Sequence, residues 1–207
     1  MTVTGLRADA RVPGCIVVDA DGARFASLPL ETVRELGLQV GLTLSVQQQE
    51  QVLRASAVEG ARRVALRLLA ARPRAVGDLK RRLRDRGHEA SAIQEAIQRL
   101  ESTGLLDDAE FARHFVRVRG PRGHGPSRLV SDLLGLGVDR KTAEQAVAEV
   151  EEAEGRDVAG MARALAEKRA GQLGMLPQQQ KRRRLVAYLS RRGFRGYEVR
   201  KMVEDLL

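Results

Sequence analysis

The sequence predicts a mainly α-helical protein of three tandem three-helix repeats, preceded by a small N-terminal β-hairpin/α+β module, and three observations predict it. The first is a motif, Leu-x3-Leu-x3-Gly, followed by apolar residues six, ten and thirteen positions after the glycine. Its copies are Leu79, Leu83, Gly87, Ile93, Ile97, Leu100, then Leu129, Leu133, Gly137, Ala143, Val147, Val150, and finally Leu185, Leu189, Gly193, Val199, Val203, Leu206. The anchor glycines stand 50 and 56 residues apart, a period that signals a stacked array with shared cores. The second is a scarcity of aromatics, with no Trp, two Tyr and four Phe in 207 residues. A core of Leu, Val, Ile and Ala favours packed helices over a β-sandwich. The third is a change in charge: residues 1–60 carry 5 basic and 7 acidic side chains, whereas 61–207 carry 31 and 20. Pattern and charge change together, which gives a β-rich module at 1–45, a helical linker at 46–60, and repeats at 61–107, 108–155 and 156–207.

In the first module, the β-branched run Gly14 to Val18, the turn sequence Asp19-Ala20-Asp21-Gly22 and the segment Ala23 to Leu28 read as a β-hairpin. Pro29 to Leu36 reads as a short helix stopped by Gly37. The alternation of Leu38, Val40, Leu42 and Leu44 predicts a third strand interrupted by Gly41. The minimal sheet that results has reason to lean on the helices that follow.

Helical spacing begins at Val46. Pro73 breaks the first helix. Val76, Leu79 and Leu83 form the stripe of the next, and Gly87 ends it in a left-handed cap. Ser91 with Gln94 fits a capping box, with Glu89 an equally good start, and Ile93, Ala96, Ile97 and Leu100 are the buried face of the third helix. The plan repeats as Phe111 to Val118, Arg128 to Leu136 and Thr142 to Val150, with Asp107-Asp108 as an N-terminal cap and Phe111 and Phe115 in the core. The breaker-rich stretch 120–126 reads as a loop. The third unit starts near Val158 and is punctuated by Gly174 and Pro177. Glycine serves each helix-to-helix turn because it accepts positive φ without a Cβ clash.

The net charge of +9 points to an anionic partner, nucleic acid or an acidic protein surface. The repeats carry 11 basic and 6 acidic, 7 and 9, and 13 and 5 charged side chains in turn, so the positive potential sits in the outer two and suggests a two-point grip. The candidate partner- or nucleic-acid-binding residues are Arg72, Arg74, Lys80, Arg81 and Arg84 in the first repeat. In the third they are Arg182, Arg183, Arg191, Arg192, Arg195, Arg200 and Lys201. Arg suits phosphate or carboxylate because it bonds either one bidentately. Only Phe194 and Tyr197 could stack on bases, which disfavours sequence-specific single-strand binding. Glu149, Glu151, Glu152 and Glu154 read as a solvated helix end more readily than as a contact for a basic partner.

Enzymatic chemistry has little support. His88, His114 and His124 lack metal-ligand spacing, and no P-loop, GxGxxG or GxSxG is present. Hence no catalytic, cofactor-binding or metal-binding residue is assigned. Cys15, a single cysteine in a predicted strand, reads as a small buried residue and fits a reducing cytosol. The absence of a secretory h-region and of any long apolar run gives the expectation of a soluble cytoplasmic protein with no membrane partner.

With these residues assembled, the chain resembles the RecX family of recombination regulators. Four places carry the resemblance: Arg72-Pro73-Arg74; Leu106-Asp107-Asp108-Ala109-Glu110-Phe111-Ala112; Gly123-His124-Gly125-Pro126-Ser127-Arg128-Leu129; and Arg191-Arg192-Gly193-Phe194. It implies three-helix units curved into an elongated body. It also implies binding in the groove of the RecA filament on single-stranded DNA, with suppression of strand exchange, ATP hydrolysis and coprotease activity. The further expectation is a monomer, with weak direct DNA binding as a secondary mode. Multivalent contact along a filament gives avidity without any strong single site. Rival readings are a general DNA-binding protein built on the basic helical repeats, an adaptor for an acidic protein, and an enzyme.

Overall fold

The computed structural model describes residues 1–207, which divide into two compact units, Met1–Arg74 with Asp78–Leu106 and Ala75–Gly77 with Asp107–Leu207.

The first unit opens with a three-stranded antiparallel sheet of β1 (Val3–Ala8), β2 (Cys15–Ala20) and β3 (Ala23–Pro29), in sequential order. The predicted hairpin is β2–β3, turning through Asp21 and Gly22, both at positive φ. The third strand is β1, which pairs with β2, and the predicted strand at Leu38 to Leu44 does not form. Gly37 and Gly41 take φ of 61° and 91°, which breaks the extended path, so only Thr2 and Thr43 form an isolated bridge. Leu38 and Leu44 are nevertheless buried, while Val40 is exposed. A short helix, α1 (Leu30–Glu35), follows the sheet.

One continuous helix, α2 (Val46–Ala71), spans both the predicted linker and the first helix of the first repeat. Ser45 starts it with a capping box to Gln48, which satisfies two otherwise orphan donors. Its Val52 joins the sheet core of Val3, Val18, Leu28 and Leu44, and its Ser56 hydroxyl meets the backbone of Ser27 in β3. The N-terminal module therefore rests on the helix that follows it. The same helix packs on α4 (Ala90–Ser102) through Val58, Ala61, Ala92 and Ala96. Between them in sequence lies α3 (Val76–Arg84). The N-cap of α4 is Glu89 with no side-chain cap bond, so the Ser91–Gln94 box is not formed.

The second unit contains α5 (Asp108–Arg119), α6 (Pro126–Gly135), α7 (Arg140–Ala153), α8 (Val158–Gly171), α9 (Gln178–Arg191) and α10 (Tyr197–Leu206). Asp107 caps α5 as predicted, accepting from the N–H groups of Ala109 and Glu110 at 2.8 and 3.0 Å. The stretch 120–126 holds a 3₁₀ turn, Gly120–Arg122, rather than loop alone. One core gathers Ala112, Val116, Leu129, Leu133, Ala146 and Val150. A second gathers Ala166, Leu185, Leu189, Phe194 and Val203. Phe111 and Phe115 pack at the edge of the first core with ring centroids 6.3 Å apart. No helix is long and apolar enough to cross a membrane.

The three anchor glycines share one geometry. Gly87, Gly137 and Gly193 have φ of 80°, 87° and 91°. The N–H of the next residue reaches back to the second motif leucine: His88 to Leu83, Val138 to Leu133, Phe194 to Leu189, at 3.2, 3.1 and 3.0 Å. This is the six-to-one closure of a Schellman turn, which requires a left-handed residue at the glycine. Val138 and Phe194, just beyond the glycine, are buried and anchor the turn.

Candidate partner-binding surface

The basic residues of the first repeat are organised by an acid. Asp78, on α3, is buried and receives Arg74 at 2.8 Å, Arg81 at 2.6 Å and Arg82 at 2.8 Å. Burial pushes its carboxyl up, but hydrogen bonds from Arg82 and Arg74 outweigh that and hold it below the ordinary Asp range. The Arg74 side chain is only 8% exposed and also donates to the Leu68 carbonyl at 3.1 Å. Arg74 is therefore a packing residue, not the surface cation its sequence position suggested. Arg81 stays half exposed but is tied to Asp78. Arg72 and Arg84 are exposed and Lys80 is half-buried. Asp78 and Arg82 stand four apart on α3 and are therefore neighbours, while Arg74, just before the helix, completes the cluster.

The third repeat leaves more of its charge unmatched. Arg182 pairs with Glu204. Arg183, Arg191, Arg200 and Lys201 are exposed on α9 and α10, with no carboxylate within salt-bridge distance. Arg195 is exposed and donates weakly to the Ser190 carbonyl at 3.5 Å. Arg192 differs from these. Its guanidinium lies 5.2 Å from the Tyr188 ring centroid and reaches the Gly123 carbonyl at 3.5 Å, so it is half-buried and joins the second repeat's loop to the third repeat's turn. Phe194 is buried, which leaves Tyr197 as the exposed member of the two aromatics named above.

That junction is a close backbone approach. The N–H of Gly125 donates to the Arg192 carbonyl at 2.7 Å, and that of Ser127 to the Gly193 carbonyl at 3.3 Å. A Cβ on Gly125 would lie 2.7 Å from the Gly193 carbonyl carbon, and one on Gly193 would collide with the Arg128 backbone. Arg156, which no sequence motif singles out, is buried nearby, donating to the Val116 carbonyl and pairing with Glu154. Of the four glutamates at the end of α7, Glu149 meets Arg113 and Gln145, and Glu154 meets Arg156. Glu151 is half-buried without a hydrogen bond or ion pair, and burial pushes its carboxyl up, with Arg156 opposing in part.

Comparison with known proteins decides the family. The first, second and third three-helix domains of RecX match residues 61–100, 107–147 and 160–203. Regulatory protein RecX of Halorhodospira halophila is 37% identical over 145 residues, which cover 70% of this chain and 87% of that one. The chain belongs to the RecX family. Regulatory protein RecX of Amycolatopsis mediterranei is 35% identical over 135 residues, 65% of this chain and 75% of its relative. The crystal structure of a regulatory protein RecX shares the fold at a TM-score of 0.78, with 20% identity and coverage of 99% and 98% of the two chains. That of RecX from Lactobacillus salivarius gives 0.62 with 23% identity, over 74% of this chain and 99% of the other. RecX is a family of regulatory proteins, and the three glycine-turned repeats match its three domains.

Proposed function

We propose that this protein binds the RecA filament on single-stranded DNA and inhibits its recombinase, ATP-hydrolysing and coprotease activities, thereby modulating homologous recombination and DNA repair. It acts in the cytoplasm as a monomer, by contact alone and without chemistry of its own. The observation that carries the reading is the set of exposed cations on α9 and α10, Arg183, Arg191, Arg200 and Lys201, which close no ion pair on a chain of the RecX family. Unmatched Arg and Lys on a helical surface suit an anionic filament, whose groove offers many weak contacts to a multi-repeat protein.

A second reading is favoured by the same cations: phosphate attracts them whether or not RecA is present, so the protein could be a general DNA binder. The test is DNA-dependent ATP hydrolysis by RecA, with this protein added well below one copy per RecA subunit. Strong suppression is expected, because so few molecules cannot compete for the DNA itself. Unchanged hydrolysis, with naked-DNA binding intact at the same salt, selects the general DNA-binding reading.

A further inference from the structure

The second and third repeats carry the same groove with different chemistry. In the second, α6 and α7 leave an open groove of about 530 Å³. In the third, α9 and α10 leave one of about 500 Å³. Moving along the sequence by the 56-residue repeat offset lays Arg182 on Pro126, Arg183 on Ser127, Val186 on Val130 and Arg200 on Glu144. The charged residues lining the third repeat's groove are all cations, whereas the second repeat's groove sets Arg140 and Arg195 beside Glu144 and Glu151. The second groove combines an apolar strip of Val130, Leu134, Val147 and Ala148 with the hydroxyls of Ser127 and Ser131 and with charges of both signs.

Those charges are matched unequally. Arg140 and Glu144 pair at 3.1 Å. Glu151 and Arg195 remain, and neither has an ion-pair partner in the chain. Arg195 holds only the Ser190 carbonyl, at 3.5 Å. Arg156 acts on Glu151 through space, its own guanidinium being engaged by Glu154 and the Val116 carbonyl. The groove thus presents an apolar strip with one unmatched carboxylate and one unmatched guanidinium. A phosphate chain asks for an unbroken positive lining, whereas an apolar strip between opposite charges is the complement of a protein segment.

We propose that the α6–α7 groove docks a segment of a protein partner. An aliphatic side chain lies on Val130, Leu134, Val147 and Ala148, a flanking basic residue reaches Glu151, and a flanking acidic residue reaches Arg195. An incoming ammonium or guanidinium gives Glu151 the ion-pair partner it lacks within the chain. With the filament reading above, on which this identification rests, the segment belongs to a RecA subunit, and the second repeat is the protein-reading one.

The test compares binding of the full-length protein to RecA filaments assembled on oligo(dT) and to naked oligo(dT). The variants are Glu151→Lys, Ala148→Trp and Glu151→Gln, each checked by thermal melting. Glu151→Lys and Ala148→Trp are expected to weaken filament binding at least tenfold, and Glu151→Gln at least threefold. Naked oligo(dT) binding should stay within twofold of wild type. Because Glu151 has no partner in the chain, Glu151→Gln leaves the fold intact and decides the matter even if Ala148→Trp melts early. Unchanged filament binding by Glu151→Gln and Glu151→Lys, beside tight binding by wild type, overturns the groove and leaves the filament reading standing. Equal weakening on filament and naked oligo(dT) overturns it in favour of a nucleic-acid contact. Failure of the wild type to bind filaments overturns both.

Discussion

Asp78 shows how one buried carboxylate sets the character of a surface. It anchors Arg74, Arg81 and Arg82, so the basic row of α3 is partly neutralised from beneath. Arg81 and Arg82 can turn to water if the carboxylate is removed, but the Arg74 side chain, 8% exposed, is left buried without its counter-charge. Removing one partner of a buried pair is costly for that reason. Asp78→Asn is expected to lose about 3 kcal/mol of stability at neutral pH, read by chemical denaturation. The pH dependence has a definite sign. The folded-state pKa lies below the unfolded one, so the stabilisation is present above about pH 4, near the ordinary Asp value, and is lost as pH falls through the folded value. The gap between wild type and Asp78→Asn should therefore close in acid. A gap that persists unchanged at about pH 2.5, well below the ordinary Asp value, would show that shape, not charge, is what Asp78 supplies.

At the scale of the element, the glycine turn separates conformation from packing. Gly87 and Gly193 both hold positive φ, but a Cβ at Gly87 meets nothing within 4 Å, whereas one at Gly193 strikes the Arg128 backbone. Gly87→Ala should cost the left-handed penalty alone, about 1–2 kcal/mol. Gly193→Ala should cost at least about 2 kcal/mol more, because backbone atoms must separate as well. Equal shifts in melting temperature for the two would mean that the Gly125–Gly193 approach relaxes freely. These turns were legible in the sequence because helical period and glycine spacing are local properties. Strand β1 was not: Val3 to Ala8 has little apolar pattern of its own, and its place is set by pairing with β2. The alternation at Leu38 to Leu44 misled for the complementary reason, since Gly37 and Gly41 bend a segment whose Leu38 and Leu44 are still buried. Among the candidate site residues, Arg183, Arg191 and Arg200 were recognisable as clustered cations, and the structure leaves them exposed. The burial of Arg74 and the junction role of Arg192 follow from tertiary packing, which no spacing rule carries.

At the scale of the whole molecule, function depends on whether the first and third repeats act together. The structure identifies the cations that can test this without disturbing the fold. Arg81 and Arg192 are poor choices, because their reversal would also disturb Asp78 and the Tyr188–Gly123 junction. Lys80 with Arg84, and Arg183 with Arg200, avoid both complications, since none of the four has a carboxylate partner and Arg84 is held only by the Lys80 carbonyl at 3.4 Å. In a two-point grip the second attachment forms at a high effective concentration, so removing either one reduces binding to the strength of the survivor. Reversal of either pair to glutamate is therefore expected to raise the concentration for half-inhibition of RecA ATP hydrolysis at least tenfold, with melting temperature unchanged. If these cations neutralise phosphates, the salt dependence of binding should also flatten, by about 0.7 in log–log slope for each single-strand phosphate left unneutralised. Full inhibition after reversal of the first pair, beside its abolition after reversal of the second, would assign the charge interaction to the third repeat alone. The first repeat would then be a structural link between the N-terminal module and the rest of the chain.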